Sequence, residues 1–303
     1  MLRWGRDWGE RVIRVFPLQG RAILSTSTYV EWDGLRFLLD AGPGSVSEML
    51  RRNLSPTKLR AVLISHSHID HFWDLVPLLW IRRLWGQRRA LRVICPRADL
   101  ELFQWCAEVS GAPELAEICP IGPGEECALS SLTVRAFEVD HERGRMALGY
   151  AMEDPGKVRL RVEELRDKGI PESEWGRLAR MERVSMGNGW ADPRDFVYIK
   201  RTKLVYSGDT RRCDSLLEAA RGADLLIAES TYLNESLRDL ADQRGHMTVG
   251  DAVSIALEAG VGNLLLTHIS MRHTEGEVRE EATKIVPGSA SLRVFIGGSE
   301  FEL

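Results

Sequence analysis

Residues 63–75 read LISHSHIDHFWDL and place His66, His68 and His71 within six positions, with Asp70 among them. The whole chain holds only seven histidines in 303 residues, so this crowding is a signal in itself. Imidazole and carboxylate together suit zinc and related divalent ions. The run just ahead, SPTKLRAVLIS, ends as a buried strand. If extended backbone runs on past Ser65, His66 and His68 point to the same side. Asp70 and His71 then open the following helix, whose body is DLVPLLWIRRLW.

The same residue types recur after other predicted strands. His141 follows SLTVRAFEVD, Asp209 follows TKLVYSG, and His268 follows NLLLT. In α/β architectures sites assemble from loops at one edge of the sheet, so these positions are expected to converge. Five histidines and two aspartates are too many for one tetrahedral ion. They suit two ions about 3.5–4 Å apart.

Around this core pattern, short β runs alternate with helical ones. AILSTSTYVEW and LRFLLDAGPG read as strands joined at Asp33-Gly34, a hairpin signal. VSEMLRRNL, ADLELFQWCAEVSG, CDSLLEAARG and GEVREEATKIV read as helices, and ALRVICP and ADLLIAEST as strands. TVGDAVSIALEAG is a helix with Thr248 and Asp251 as a capping box and Gly260 past its end. SLRVFIGGSEFEL closes the chain as β structure. Residues 152–200 differ: they are rich in charge, Pro and Gly, with little core signal, and read as a surface insertion or arm. The chain is therefore expected to form one α/β domain over 1–303, carrying this insertion.

Composition narrows the class. A net charge of −4 gives no global basic field, so nucleic-acid binding needs a local patch. One local run, Arg82, Arg83, Arg88 and Arg89, reads as a solvated helix end. The first residues mix charges without a signal-peptide core, and no apolar stretch is long enough to span a membrane. Five cysteines (Cys95, Cys106, Cys119, Cys127, Cys213) form no CxxC pair and no closed disulfide set, which points to reduced thiols in a cytoplasm.

SHSHIDH, the DH at His141, SGDT at Asp209 and LLLTHIS at His268 together resemble the ligand motifs of the metallo-β-lactamase superfamily. Within it the chain is most similar to ribonuclease Z, the tRNA 3′-processing endonuclease. The likeness runs from about Gly34 to about Val286 and is most specific in YSGDTRRCDSLLEAARGADLLIAESTYLNE, RGHMT and LLLTHISMRH. The resemblance implies an α/β fold of the αββα type, a four-layer sandwich. It implies two divalent ions, zinc first, with manganese or iron as alternatives. One would be held by His66, His68 and His141, the other by Asp70, His71 and His268, with Asp209 bridging. A metal-bridging water would be the nucleophile and Asp70 its proton acceptor. Glu229 in IAEST and His246 in RGHMT match a further catalytic pair, with His246 acting on the transition state or leaving oxygen. Asp40 would orient a ligand histidine, Ser207 and Thr210 would support Asp209, and His273 is left as a surface residue. The implied substrate is RNA, precursor tRNA above all, and the implied assembly a homodimer.

The chain departs from that family in places. The family's glycine-rich opening is not recognisable in RVFPLQGRAILSTSTYVEW, and its polar loop reads GPGSV at 42–46. The arm's tip reads GIPESEWGRL, and residues 152–200 hold ten Lys and Arg against ten Asp and Glu. Ala228 stands where the family has a histidine. A charge-neutral arm argues for a second reading, a hydrolase of a small phosphodiester or other ester. A third is a metal- or RNA-binding module without catalysis.

Overall fold

Asp33 and Gly34 both take left-handed backbone, φ 49° and 82°, as a two-residue hairpin loop requires. They lie in the first sheet of a computed structural model that describes residues 13–21, 25–187, 189–297 and 301–302. Residues 22–24, where the first expected strand begins, and 298–300 and 303 of the closing segment lie outside the described residues. The sheet holds β1 (Ile13–Arg21), β2 (Ser25–Trp32) and β3 (Leu35–Leu39) as an antiparallel meander. It continues in parallel through β4 (Ala61–Leu63), β5 (Leu91–Pro96) and β6 (Ala116–Ile121). The intervening helices are α1 (Ser45–Arg51), α2 (Ile69–Phe72), α3 (Leu75–Leu84) and α4 (Leu100–Val109).

The chain then crosses to a second sheet with β7 (Glu126–Leu129), β8 (Leu132–Glu138) and β9 (Leu148–Glu153). It leaves that sheet for the arm, built from β10 (Lys157–Leu160), α5 (Val162–Asp167), α6 (Glu172–Ala179), β11 (Val184–Met186), β12 (Gly189–Ala191), α7 (Pro193–Phe196) and β13 (Val197–Lys200). It returns as β14 (Lys203–Tyr206), α8 (Asp214–Ala220), β15 (Leu225–Glu229), α9 (Arg238–Arg244), α10 (Val249–Glu258), β16 (Asn263–Thr267), α11 (Glu275–Ile285) and β17 (Arg293–Ile296). A short β18 (Phe301–Glu302) pairs back onto β1. The second sheet has the order β17-β16-β15-β14-β9-β8-β7.

Strand alternation sorts the core into layers. Phe37, Leu39, Ala61 and Leu63 face inward against Val134, Tyr150, Leu204 and Ile227 of the second sheet. Leu38, Val62 and Ile64 face outward onto Met49, Leu75, Leu79 and Phe103 of the first helical layer. Val205, Leu226 and Leu264 meet Leu216, Val253 and Val278 of the other. This is the αββα sandwich, with two mixed sheets inside. No helix among the described residues is long and apolar enough to cross a membrane.

Three features depart from the sequence reading. β1, β6, β7 and β9 lie in segments where no strand is expected. The arm closes on a small core of its own, with Leu165, Trp175, Leu178 and Phe196 buried together. Its apolar residues are scattered over short elements, so no periodic run announced it. Arg82, read as part of a solvated helix end, has no exposure at all. Its guanidinium donates to the carbonyls of Pro56, Leu59 and Arg89, and burial lowers its pKa to about 10.

Candidate metal centre

The expected ligands meet where the two sheets abut. β4, β8, β14 and β16 all point their C-terminal ends at one edge, and His66, His141, Asp209 and His268 follow them within a few residues. Tyr150 and Tyr206 tie the edge together from the second sheet. The Tyr150 hydroxyl donates to the Ile64 carbonyl at 2.6 Å, and that of Tyr206 to the Asp40 carboxylate. His268 is held at φ 52° and Asp40 at φ 57°, a left-handed backbone that non-glycine residues adopt at a cost of about 1–3 kcal/mol.

The loop at 42–46 is part of this scaffold. A Cβ on Gly42 would lie 2.0 Å from the Asp70 carbonyl oxygen, so only glycine lets the segment pass beneath the histidine loop. Val46 N donates to the Asp74 carboxylate at 2.8 Å, and Ser45 is fully buried. The GPGSV segment thus braces the loop that carries Asp70, and its residues do not line the site cavity.

Hydrogen bonding settles which nitrogen of each histidine faces inward. The buried Asp40 carboxylate accepts from Ser65 N at 2.7 Å, Ser65 Oγ at 2.8 Å and His71 Nδ1 at 2.7 Å. Having given its proton to Asp40, Ser65 Oγ accepts from His66 Nδ1 at 2.9 Å. Thr231 Oγ1 donates to Glu229 Oε2 at 2.7 Å and accepts from His268 Nδ1 at 2.8 Å. His141 Nδ1 donates to the Gly245 carbonyl at 2.8 Å, and His68 Nε2 to Glu142 at 3.1 Å. Five imidazoles therefore direct their lone-pair nitrogens at one another.

Such a donor set suits cations. His66 Nε2 and His141 Nε2 lie 2.9 and 3.2 Å from His68 Nδ1. Those spacings are close to the roughly 3.3 Å edge of a tetrahedron with metal–nitrogen bonds of about 2.0 Å. His71 Nε2 and His268 Nε2 are buried without a hydrogen-bond partner among the described residues. They stand 3.2 and 3.3 Å from Asp209 Oδ2, and 3.8 and 3.7 Å from Asp70 Oδ2. His66, His68 and His141 form one cluster and Asp70, His71 and His268 another, with Asp209 reaching both His66 and His71.

Electrostatics follow from burial and charge. Burial pushes His66 well below its ordinary value, with the neighbouring histidines adding to the effect. Burial would also lower His71, but Asp209 and Asp40 outweigh it and hold that ring well above. Burial would raise Asp70 and Asp209, yet His268 and His71 keep both ionised, Asp70 at about 2. His246 Nδ1 lies 2.9 Å from Glu229 Oε1, whose charge overrides burial and raises the ring to about 9. Glu229 also accepts from Thr210 N at 2.9 Å and Thr231 N at 3.1 Å. Ser207 Oγ accepts from Glu229 N, and Thr210 Oγ1 from Asp140 N.

The sequence reading did not single out Thr231, Tyr206, Glu142 or the Gly245 carbonyl. Thr231 lay within the quoted IAEST segment; a backbone carbonyl has no sequence signal. The cavity over the site, about 720 Å3, is also lined by Tyr232, Arg244 and Arg272. His273 is half-buried outside it, its carbonyl accepting from Arg21 at 2.6 Å. Replacing Asp40 by asparagine puts an N–H donor among donors. The variant is expected to lose about 3–5 kcal/mol of stability and 10–100-fold in metal affinity, read by denaturant unfolding and metal titration.

Known proteins agree with this picture. The profile of the β-lactamase superfamily domain matches residues 35–160 and 196–269. The chain is 34% identical over 265 residues to the ribonuclease Z of Ignicoccus hospitalis, across 86% of this chain and 87% of that one. It is 34% identical over 281 residues to the ribonuclease Z of Gemmatimonas aurantiaca, across 89% and 88%. The metallo-β-lactamase-fold protein YhfI of Bacillus subtilis shares the fold with a TM-score of 0.68, at 22% identity over 96% of this chain and 99% of its own. The chain belongs to the metallo-β-lactamase superfamily, as a ribonuclease Z-like hydrolase. Its His/Asp clusters are typical of the dinuclear metal site of that fold.

Proposed function

We propose that the chain is a phosphodiesterase that cleaves RNA, with the 3′ end of precursor tRNA as its substrate. The observation that carries this reading is His246, charged by Glu229 and set against Asp209 at the cavity wall. Two divalent ions, zinc first, held by His66, His68 and His141 and by Asp70, His71 and His268 with Asp209 between, would supply Lewis acidity and activate water. Asp70, an ionised carboxylate open to the cavity, takes up the proton released by the attacking water. His246 keeps Nδ1 on Glu229 and offers Nε2–H to the departing ribose oxygen. Arg244 and Arg272, with no carboxylate partner among the described residues, face the flanking phosphates.

The arm supports a macromolecular substrate. It leaves the sheet after Glu153 and rejoins it at Lys203, the strand ends remote from the metals. From Leu148 beside the site to Glu153 is about 17 Å of extended chain. None of its residues lines the site cavity, so it is not a lid over its own centre. Its neutrality is also uneven. Segments 157–161 and 197–203 carry six Lys and Arg and no acid. The helical part holds close internal pairs, as in Arg166–Glu163 and Arg177–Glu174, and two stem cations meet acids from outside their own segments, Arg161 with Glu164 and Lys203 with Glu153. A basic stem suits an RNA backbone, and in a homodimer it would serve the neighbouring site. A cytoplasmic location and reduced cysteines belong to the same reading.

The test is precursor tRNA with a 3′ trailer, offered to the intact chain and to one whose arm is cut back to a turn between Lys157 and Lys200, which pair as neighbours. The intact chain is expected to release the trailer. The trimmed chain should lose about 100-fold or more in kcat/KM on tRNA while keeping turnover of a chromogenic phosphodiester. Turnover of the small diester with no RNA cleavage by either chain would replace this reading with a small-substrate phosphodiesterase.

A further inference from the structure

A second polar cleft lies at the opposite end of the first sheet, and its ionisable lining is of one sign. Arg36, Lys58, Arg60 and Arg89 surround it, with Thr57 and Gln87 between, in a volume of about 210 Å3. Arg36 lies at the start of β3, Arg60 just ahead of β4 and Arg89 just ahead of β5, and these strands run parallel. The histidine loop leaves the other end of β4, so Arg60 and His66 are separated by about 20 Å of extended chain.

Arg36 is paired with Glu31 at 2.8 Å. Lys58, Arg60 and Arg89 have no carboxylate partner among the described residues. Like charges gathered in a concave site repel one another and concentrate anions from solution. Arginine adds a fork of donors that fits phosphate oxygens.

The walls are also fixed. Arg82, wholly buried, donates to Pro56 O at 2.8 Å and Leu59 O at 3.2 Å on one wall, and to Arg89 O at 2.9 Å on the other. Gln87 Nε2 donates to Thr57 O at 2.8 Å, while its Oε1 accepts from Arg88 N and Arg89 N at 2.9 and 3.1 Å. Apolar packing would join two loops at less cost than a buried guanidinium without a carboxylate. What the guanidinium adds is a defined spacing between the cationic walls, the preorganisation a ligand site needs.

We propose that this cleft is a phosphate-binding site, separate from the metal centre. It takes a phosphoryl group presented either by a free phosphorylated small molecule or by the backbone of a bound RNA. It does not depend on the RNA reading of the metal centre, because the first source involves no RNA.

The test compares the metal-loaded chain with Arg60→Gln/Arg89→Gln, and with Lys58→Gln as a milder variant at an exposed position. Turnover of a chromogenic phosphodiester, expected to be unchanged, checks the metal centre. In chloride buffer the variants should melt at or above the parent, because repulsion is relieved. Inorganic phosphate at about ten times its Kd should raise the parent's melting temperature by about 2–4 °C more than the double variant's, which identifies a free-phosphate site. Equal phosphate shifts, with about tenfold weaker binding of a 3′-mature tRNA and a salt dependence shallower by 1–2, identify the RNA backbone as the source. Equal phosphate shifts together with unchanged RNA binding overturn the proposal. So do variants that melt below the parent without phosphate and bind both probes as the parent does, since the cations would then be structural.

Discussion

Asp209→Ala is expected to lower phosphodiester hydrolysis by about 10^4-fold or more while the chain remains folded. Asp209 Oδ2 lies within 4.0 Å of nitrogens on His66, His71, His246 and His268, more than any other carboxylate of the centre. Removing it takes away the one anion that both clusters share, and with it the charge that would make two cations tolerable so close together. Lewis-acid stabilisation is worth several kcal/mol, and each 1.36 kcal/mol is tenfold in rate, which gives the magnitude. Metal analysis of the purified variant should show about one bound ion or none. Two ions retained with near-normal turnover would remove Asp209 from the centre.

The second large effect is at His246. His246→Ala is expected to lower kcat by about 10^2–10^4-fold with metal content unchanged, the range for loss of a positioned general acid. The pH profile separates this role from packing. Glu229 raises the pKa of His246, and the acid form is the one required, so activity falls as pH rises through that value. Glu229→Gln removes the charge responsible, so its alkaline fall should come at lower pH than in the parent. An unshifted alkaline limb would mean that His246 is not the group titrating. Metal loss in His246→Ala would instead make it a ligand.

Much of the centre was legible before any coordinates. Histidine is scarce in this chain: five of the seven fall in motifs that follow strands, and a sixth, His246, stands just ahead of a helix. Local hydrophobic runs such as RAVLIS and NLLLT show where those strands stop. The supporting groups were not legible for a concrete reason. The Gly245 carbonyl, 104 positions from His141, and the Tyr206 hydroxyl, 166 from Asp40, carry no local pattern that marks them as partners. Arg82 shows the same limit from the other side. Its neighbours Arg83 and Arg88 are exposed, and only the packing of the 56–59 segment against α3 turns one arginine of the run inward. The arm's neutrality was correct as a sum and misleading as a picture, because the sum does not record that segments 157–161 and 197–203 carry six Lys and Arg and no acid of their own.

The sequence by itself determined the residue types that cluster, their places after β4, β8, β14 and β16, and an α/β chain, all of which depend on short-range spacing and hydrophobic period. The αββα class was implied by the resemblance of those motifs to a known family. The tertiary structure alone decided which nitrogen each imidazole turns inward, what raises the pKa of His246, where the arm stands relative to the clustered histidines, and that four cations line a cleft at the far end of the sheet. The division is physical. Strand and helix periods are set by neighbours along the chain, whereas the direction of a lone pair or the pairing of a charge is set by whichever distant group the folded sheets bring within 3 Å.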